Sequence, residues 1–163
     1  MRDLFAKGEA VGALLKARRE TVAVAESSAG GLVSASLLAV PGASAYFLGG
    51  AVSYTAPARE AFLGISAADM ARAGLRSSSE PYAMLLARTL RARLGTSWGI
   101  AETGAAGPSG NRYGDAAGHS CLAIAGPVER VVTLETGHAD RAANMQQFAL
   151  ALLALFEDVM AGR

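Results

Sequence analysis

The chain has 163 residues, 52% of them hydrophobic and 18% charged, with 15 Lys+Arg against 14 Asp+Glu and a formal charge of +1. This is the size and composition of one globular domain with a proper core. It excludes a disordered chain and any general attraction for nucleic acid or an anionic membrane. Cys121 is the only cysteine, and His119 and His138 are the only histidines, which excludes an intrachain disulfide and a cysteine- or histidine-based metal cluster. No metal or other cofactor is expected. Met1-Arg2-Asp3 is followed by no apolar stretch of a signal peptide, and the longest apolar run, Phe148 to Phe156, is too short to span a bilayer, so a cytoplasmic protein is expected.

The elements alternate along the chain. Leu4 to Arg18, with Val11, Leu14 and Leu15 on one side, reads as a helix. Thr21 to Ala25 reads as a strand, and Gly31 to Ala39 as a helix stopped by Pro41-Gly42. Tyr46 to Tyr54 is a second strand, where Gly49-Gly50 predicts a bulge or a close backbone approach. Short helices follow at Pro57 to Phe62 and Ser66 to Ala73. A strong amphipathic helix runs from Glu80 to Leu94, with Ser77 to Ser79 offering the cap and Gly95 the stop. Ser97 to Ala101 is a third strand, and a long Gly/Ala/Pro-rich loop covers Gly104 to Gly118. His119 to Ala125 and Arg130 to Thr136 form a hairpin, and Asp140 to Met160 a closing helix. This order predicts an α/β fold, a three-layer α/β/α sandwich with a mixed β-sheet, in a single domain over 1–163.

Two glycine-rich segments directly follow strands, where ligands gather in open α/β sheets. The first, Ala25-Glu26-Ser27-Ser28-Ala29-Gly30-Gly31, sets a hydroxyl beside the N–H groups that open a helix. Those groups can hold a phosphate or a developing oxyanion, and Ser27 or Ser28 can instead simply cap the helix. It lacks the lysine of a P-loop and the spacing of a dinucleotide fingerprint. The second is Glu102-Thr103-Gly104-Ala105-Ala106-Gly107-Pro108-Ser109-Gly110, long enough to suggest a functional loop.

Gly42-Ala43-Ser44-Ala45-Tyr46-Phe47, then Gly50, Val52, Ser53 and Tyr54, then Leu63-Gly64-Ile65, Gly118-His119-Ser120 and Asp140-Arg141 complete a recognisable series. In order and at consistent spacing, over nearly the whole chain, the series resembles the C-terminal domain of the CinA (competence/damage-inducible protein A) family. That family's pattern runs A-E-S-C-T-G-G, V-[ST]-Y-[ST]-N-x-A-K and T-G-I-A-G-P-x-G-G. Its stand-alone members are nicotinamide-nucleotide amidohydrolases, or NMN deamidases. The resemblance therefore implies hydrolysis of the NMN carboxamide to nicotinate mononucleotide and ammonia, and a small-molecule nucleotide as partner. It also implies a homo-oligomer, such as a dimer.

Carried over by position, the family's proposed catalytic groups fall on Ser27, Tyr54 and Arg59. Ser27 would attack the carboxamide carbon. Tyr54 would take the serine proton, assisted by a neighbouring cation, a part that Arg59 suits. The family has lysine at this third position, and arginine does not give up its proton. Other departures gather nearby, at Ser28, Ala29, Ala56-Pro57 and Asn111. The alternative reading is thus a catalytically degenerate module that binds a nucleotide or a partner without turnover. The resemblance and the loops together place substrate binding at Glu26, Ser28, Gly30, Gly31, Thr103, Gly104, Gly107, Ser109 and Gly110. Arg112 and Arg141 are candidate phosphate partners, and His119 a candidate pocket residue.

Overall fold

The computed structural model describes residues 1–163. In chain order the elements are α1 (Arg2–Arg18), β1 (Val22–Glu26), α2 (Leu32–Leu38), a 3-10 turn (Ala43–Ala45), β2 (Phe47–Val52), α3 (Ala56–Leu63), α4 (Ala67–Arg72), α5 (Glu80–Leu94), β3 (Trp98–Ala105), β4 (His119–Ala125), β5 (Arg130–Glu135) and α6 (Arg141–Met160). The five strands form one sheet in the order β2-β1-β3-β4-β5. β2, β1 and β3 run parallel, because α2 and then α3 to α5 return the chain between them. β4 and β5 add antiparallel, so the sheet is mixed.

Side-chain alternation divides the core in two. Val22, Val24, Ile100, Leu122 and Ile124 face α1, α2 and α6, where Trp98 meets Phe156 edge to face at 5.5 Å. The opposite face is nearly all alanine, at Ala23, Ala25, Ala101, Ala123 and Ala125, which lets α5 lie close against the strands through Ala83, Leu86, Ala87 and Leu90. This is the α/β/α sandwich that the sequence predicts. No helix is long and apolar enough to cross a membrane.

Local signals explain the best-placed boundaries. α5 runs from Glu80 to Leu94 as expected, opened by Ser79, whose hydroxyl accepts from Tyr82 N, and closed by Gly95 at φ 63°. Most ends shift by only one or two residues, as where β2 stops at Val52 and leaves Tyr54 beyond the strand, and the largest difference is at β3. β3 continues to Ala105, so Thr103 and Gly104 lie on a strand and not in the loop. Pairing with β4 extends it, with Gly104 opposite Ser120 and Ala105 opposite His119. A Cβ at Gly104 would lie 2.2 Å from the His119 carbonyl oxygen, so only glycine lets the two strands close there. In β2 the expected irregularity appears as a register shift between Phe47 and Gly49.

Candidate functional site

The three parallel strands end side by side, and their C-terminal ends make the floor of a cleft. Glu26 closes β1 and leads to Ser27. Beside it the Ser53 N–H donates to the Glu26 carbonyl, which aligns Ser53 and Tyr54 with the turn. Thr103 and Gly104 arrive from β3 on the other flank. Three adjoining cavities result. A central one of about 290 Å³ is lined by Ser27, Ser53, Tyr54, Tyr82, Thr103 and Gly104, among others. A lobe of about 370 Å³ holds Arg59, Arg76, Arg112, Tyr54, Tyr82 and Tyr113. A lobe of about 230 Å³ is walled by Ser28, Tyr54, Arg141 and the Gly104–Asn111 segment. Tyr54, 61% exposed, borders all three. The structure thus brings Ser27, Tyr54, Arg59 and the glycine loop around one cleft.

The turn after β1 is held by two fully buried carboxylates on neighbouring strands, Glu26 and Glu102. Glu26 accepts from the N–H groups of Gly31 (3.0 Å), Val33 (3.2 Å) and Ser34 (3.0 Å) and from the Ser34 hydroxyl (2.8 Å). Its carboxyl sits at the N-terminus of α2, where unpaired N–H groups favour an acidic side chain. Glu102 accepts from the N–H groups of Ser27 (3.2 Å) and Ala29 (2.7 Å) and from the hydroxyls of Ser28 and Ser120. Burial pushes the Glu102 carboxyl above its ordinary range, against the pull of these hydrogen bonds.

This arrangement corrects two expectations. Neither Ser27 nor Ser28 caps α2, whose first residue follows Gly31 at φ 96°. Nor are the N–H groups of Gly30 and Gly31 open to a substrate: Gly30 N donates to the Ser27 carbonyl (3.0 Å) and Gly31 N to Glu26. Gly30 and Gly31 instead supply the left-handed backbone, at φ 67° and 96°, that turns the chain sharply after the serines. Glu26 is likewise a holder of the turn rather than a ligand of substrate. Among the hydrogen-bond donors of Ser27–Gly31, only the Ser28 N–H and the Ser27 hydroxyl find no acceptor inside the protein. Those two groups are the free chemistry of the turn.

Tyr54 has a cationic neighbour, but it is not Arg59. Arg141, in the first turn of α6, donates to the Tyr54 phenol oxygen (3.3 Å) and to the Gly107 carbonyl (2.6 Å). Arg59 is 7% exposed on α3, donates from Nε to the Ile65 carbonyl (3.0 Å), and lies 6.0 Å from the centre of the Tyr82 ring. The expected Arg59–Tyr54 partnership is therefore replaced by Arg141–Tyr54. Thr103 is also tied down, its hydroxyl accepting from Ser78 N (3.3 Å).

The glycine loop beyond β3 has open donors. The N–H groups of Gly107, Ser109 and Gly110 find no acceptor within the protein. The next residues are ordered by Asn111, whose side-chain oxygen accepts from Tyr113 N (3.0 Å) and Asp115 N (3.2 Å). Arg112 stacks on Tyr113 at 5.0 Å and bonds its hydroxyl (2.9 Å), so it flanks the Arg59 lobe.

Sequence reasoning passed over several residues that build these walls. Glu102, Ser53, Arg76, Tyr82 and Tyr113 all stood in or next to quoted motifs, yet only their contacts reveal them. Arg76 pairs with Asp115 at 2.7 and 3.2 Å and so fastens the Ser77–Ser78 wall to the loop. His119 does not line the cleft. It sits behind that wall, bonded to Glu135 through Nδ1 (2.5 Å) and to the Ser78 carbonyl through Nε2 (3.0 Å). Burial opposes its charged form, but these bonds and nearby Asp115 outweigh burial and raise His119 above 6.5.

Comparison with known proteins agrees with this architecture. The model of the CinA C-terminal domain matches residues 6–160. A CinA-like protein of Anaeromyxobacter sp. (strain K) is 43% identical over 150 residues, covering 90% of this chain and 36% of that protein. A CinA-like protein of Prochlorococcus marinus is 45% identical over 114 residues, 70% of this chain and 26% of that one. The chain thus spans about a third or less of the length of these curated relatives. Among solved structures, a CinA superfamily protein from Klebsiella pneumoniae superposes with a TM-score of 0.87 at 24% identity, covering 98% of this chain and 99% of that one. The competence/damage inducible protein CihA from Agrobacterium tumefaciens gives 0.86 at 23% identity, covering 98% and 96%. By its matched length and its relatives, the chain belongs to the CinA C-terminal domain family.

Proposed function

We propose that this CinA domain hydrolyses the carboxamide of nicotinamide mononucleotide, releasing ammonia and nicotinate mononucleotide. One observation carries the reading: Ser27 presents an uncommitted hydroxyl in the central cavity, on a turn that two buried carboxylates hold rigid. A nucleophile fixed by its backbone and free at its oxygen is what acyl transfer needs.

In the proposed reaction the Ser27 Oγ attacks the carboxamide carbon while its proton passes to the oxygen of Tyr54, which acts in its phenolate form. The Ser28 N–H, next after the nucleophile, receives the developing oxyanion, as backbone donors do in other acyl-transfer sites. The C–N bond breaks as Tyr54 returns the proton to the leaving nitrogen, and ammonia departs. Water then attacks the acyl-serine as it gives a proton to the Tyr54 oxygen, and Tyr54 hands that proton to the Ser27 Oγ as the acyl–oxygen bond breaks, releasing nicotinate mononucleotide and restoring both groups. Arg141 positions Tyr54 throughout, and the open N–H groups of Gly107, Ser109 and Gly110 face the sugar and the polar edge of the substrate.

The test is ammonia release from NMN by the purified chain, measured beside NMN binding by calorimetry. Turnover with stoichiometric nicotinate mononucleotide supports the reading. Tight binding with no ammonia would replace it by the nucleotide-binding module.

A further inference from the structure

The Arg59 lobe has a chemical character that the reaction at Ser27 does not use. Arg59 is a buried guanidinium, yet it takes part in none of the ion pairs of the protein. No aspartate or glutamate lines the lobe. A buried charge without a counter-ion is costly, and natural proteins keep one where a ligand completes the pair.

A second observation points the same way. Ser53 is 4% exposed, and its Oγ is the one buried side-chain oxygen or nitrogen with no hydrogen-bond partner. Ser53 lines both the Arg59 lobe and the central cavity that holds Ser27. An orphaned donor and an uncompensated guanidinium thus border the same space. Arg112 flanks its mouth, and Tyr54, Tyr82 and Tyr113 form aromatic walls.

We infer that this lobe is an oxyanion subsite, in which Arg59 and the Ser53 hydroxyl bind a phosphate monoester adjoining the group held at Ser27. Arg59 is then a binding residue, which explains why a permanent cation is compatible with the site. A guanidinium presents several donors to phosphate in a fixed fork, and a hydroxyl beside it adds one more. That the phosphate is the substrate's own rests on the amidohydrolase reading. Recognition of the anion does not, because it can be measured without turnover.

The experiment is calorimetric titration of inorganic phosphate into the full chain at constant ionic strength, for the wild type, Arg59→Lys, Arg59→Gln, Ser53→Ala and Arg141→Gln. Arg59→Gln should weaken binding by about tenfold or more and Ser53→Ala by about three- to tenfold, because each loses a bond to a charged group. Arg59→Lys should keep part of the affinity, and Arg141→Gln nearly all of it. Ser53→Ala also guards against misfolding, since deleting an orphaned hydroxyl should leave the unliganded melting temperature equal or higher while reducing the shift that phosphate causes. Once those variants place the anion in this lobe, phosphate that competes with NMN marks the substrate's own phosphate as the occupant, and non-competitive inhibition marks free phosphate as an effector. No phosphate binding by the wild type would overturn the inference. So would equal binding by wild type, Arg59→Gln and Ser53→Ala, or loss confined to Arg141→Gln.

Discussion

Replacing Glu102 separates hydrogen bonding from charge at the base of the serine turn. Glu102→Ala leaves the Ser27 and Ala29 N–H groups without acceptors. The Ser28 and Ser120 hydroxyls lose theirs too, although hydroxyls rotate, and Ser120 Oγ already lies 3.5 Å from the Thr103 carbonyl. At about 1–3 kcal/mol for each unsatisfied buried donor, the two N–H groups alone cost roughly 2–6 kcal/mol. For a domain of this size that corresponds to a fall in melting temperature of about 5–20 °C. Glu102→Gln behaves differently: its amide oxygen can still accept from both N–H groups, while its NH2 donates to hydroxyls that turn to accept. That variant should lie within about 1–2 kcal/mol of wild type. The pH dependence follows from the raised carboxyl. Its stabilising contribution is full below the ordinary carboxyl range and is lost as pH rises through the folded-state value. The stability difference, wild type minus Glu102→Gln, should therefore decline with rising pH. Urea denaturation of the three proteins across pH measures all of this. Equal destabilisation by Gln and Ala, or a flat difference curve, would refute the argument.

Tyr54→Phe removes the phenol oxygen from an exposed side chain, so stability should change by less than about 0.5 kcal/mol. NMN turnover should fall by about 10²–10⁴-fold if that oxygen carries the serine proton, as steady-state ammonia release will show. His119→Gln tests the buttress behind the Ser78 wall. Because the folded-state value of His119 is raised, its contribution is complete below 6.5 and is lost as pH rises through the higher folded-state value. Thermal melts should show the wild-type advantage over His119→Gln shrinking from mildly acidic to alkaline pH, and a constant advantage would contradict the geometry.

Much of the fold is legible because its signals are local. The Ser79 cap, Pro81 and Gly95 bound α5 within the sequence itself. The alternating strands and helices dictate parallel pairing of β1, β2 and β3. What the sequence hides is non-local. The end of β3 depends on pairing with β4, and nothing in Glu102-Thr103-Gly104-Ala105 announces a strand. The serine turn looks like a row of open N–H donors until Glu26 bends over the start of α2 and Glu102 reaches it from 75 residues away in sequence. Arg59 and Tyr54 are five positions apart, yet α3 directs Arg59 toward Tyr82, and Arg141 from the last helix meets the phenol. Sequence motifs thus located the cleft, while the assignment of partners within it required the tertiary contacts.

In the proposed reaction the Ser27 hydroxyl is the attacking group. The direct measurement is single-turnover ammonia release from NMN, with protein in excess, for wild type and Ser27→Ala, each checked for an unchanged melting temperature. Ser27 is held through its backbone and its Oγ binds nothing in the protein, so the alanine variant should fold normally. The wild type should release one ammonia per NMN, and Ser27→Ala should release it at least about 10³-fold more slowly. Release at the wild-type rate by folded Ser27→Ala would contradict attack by Ser27.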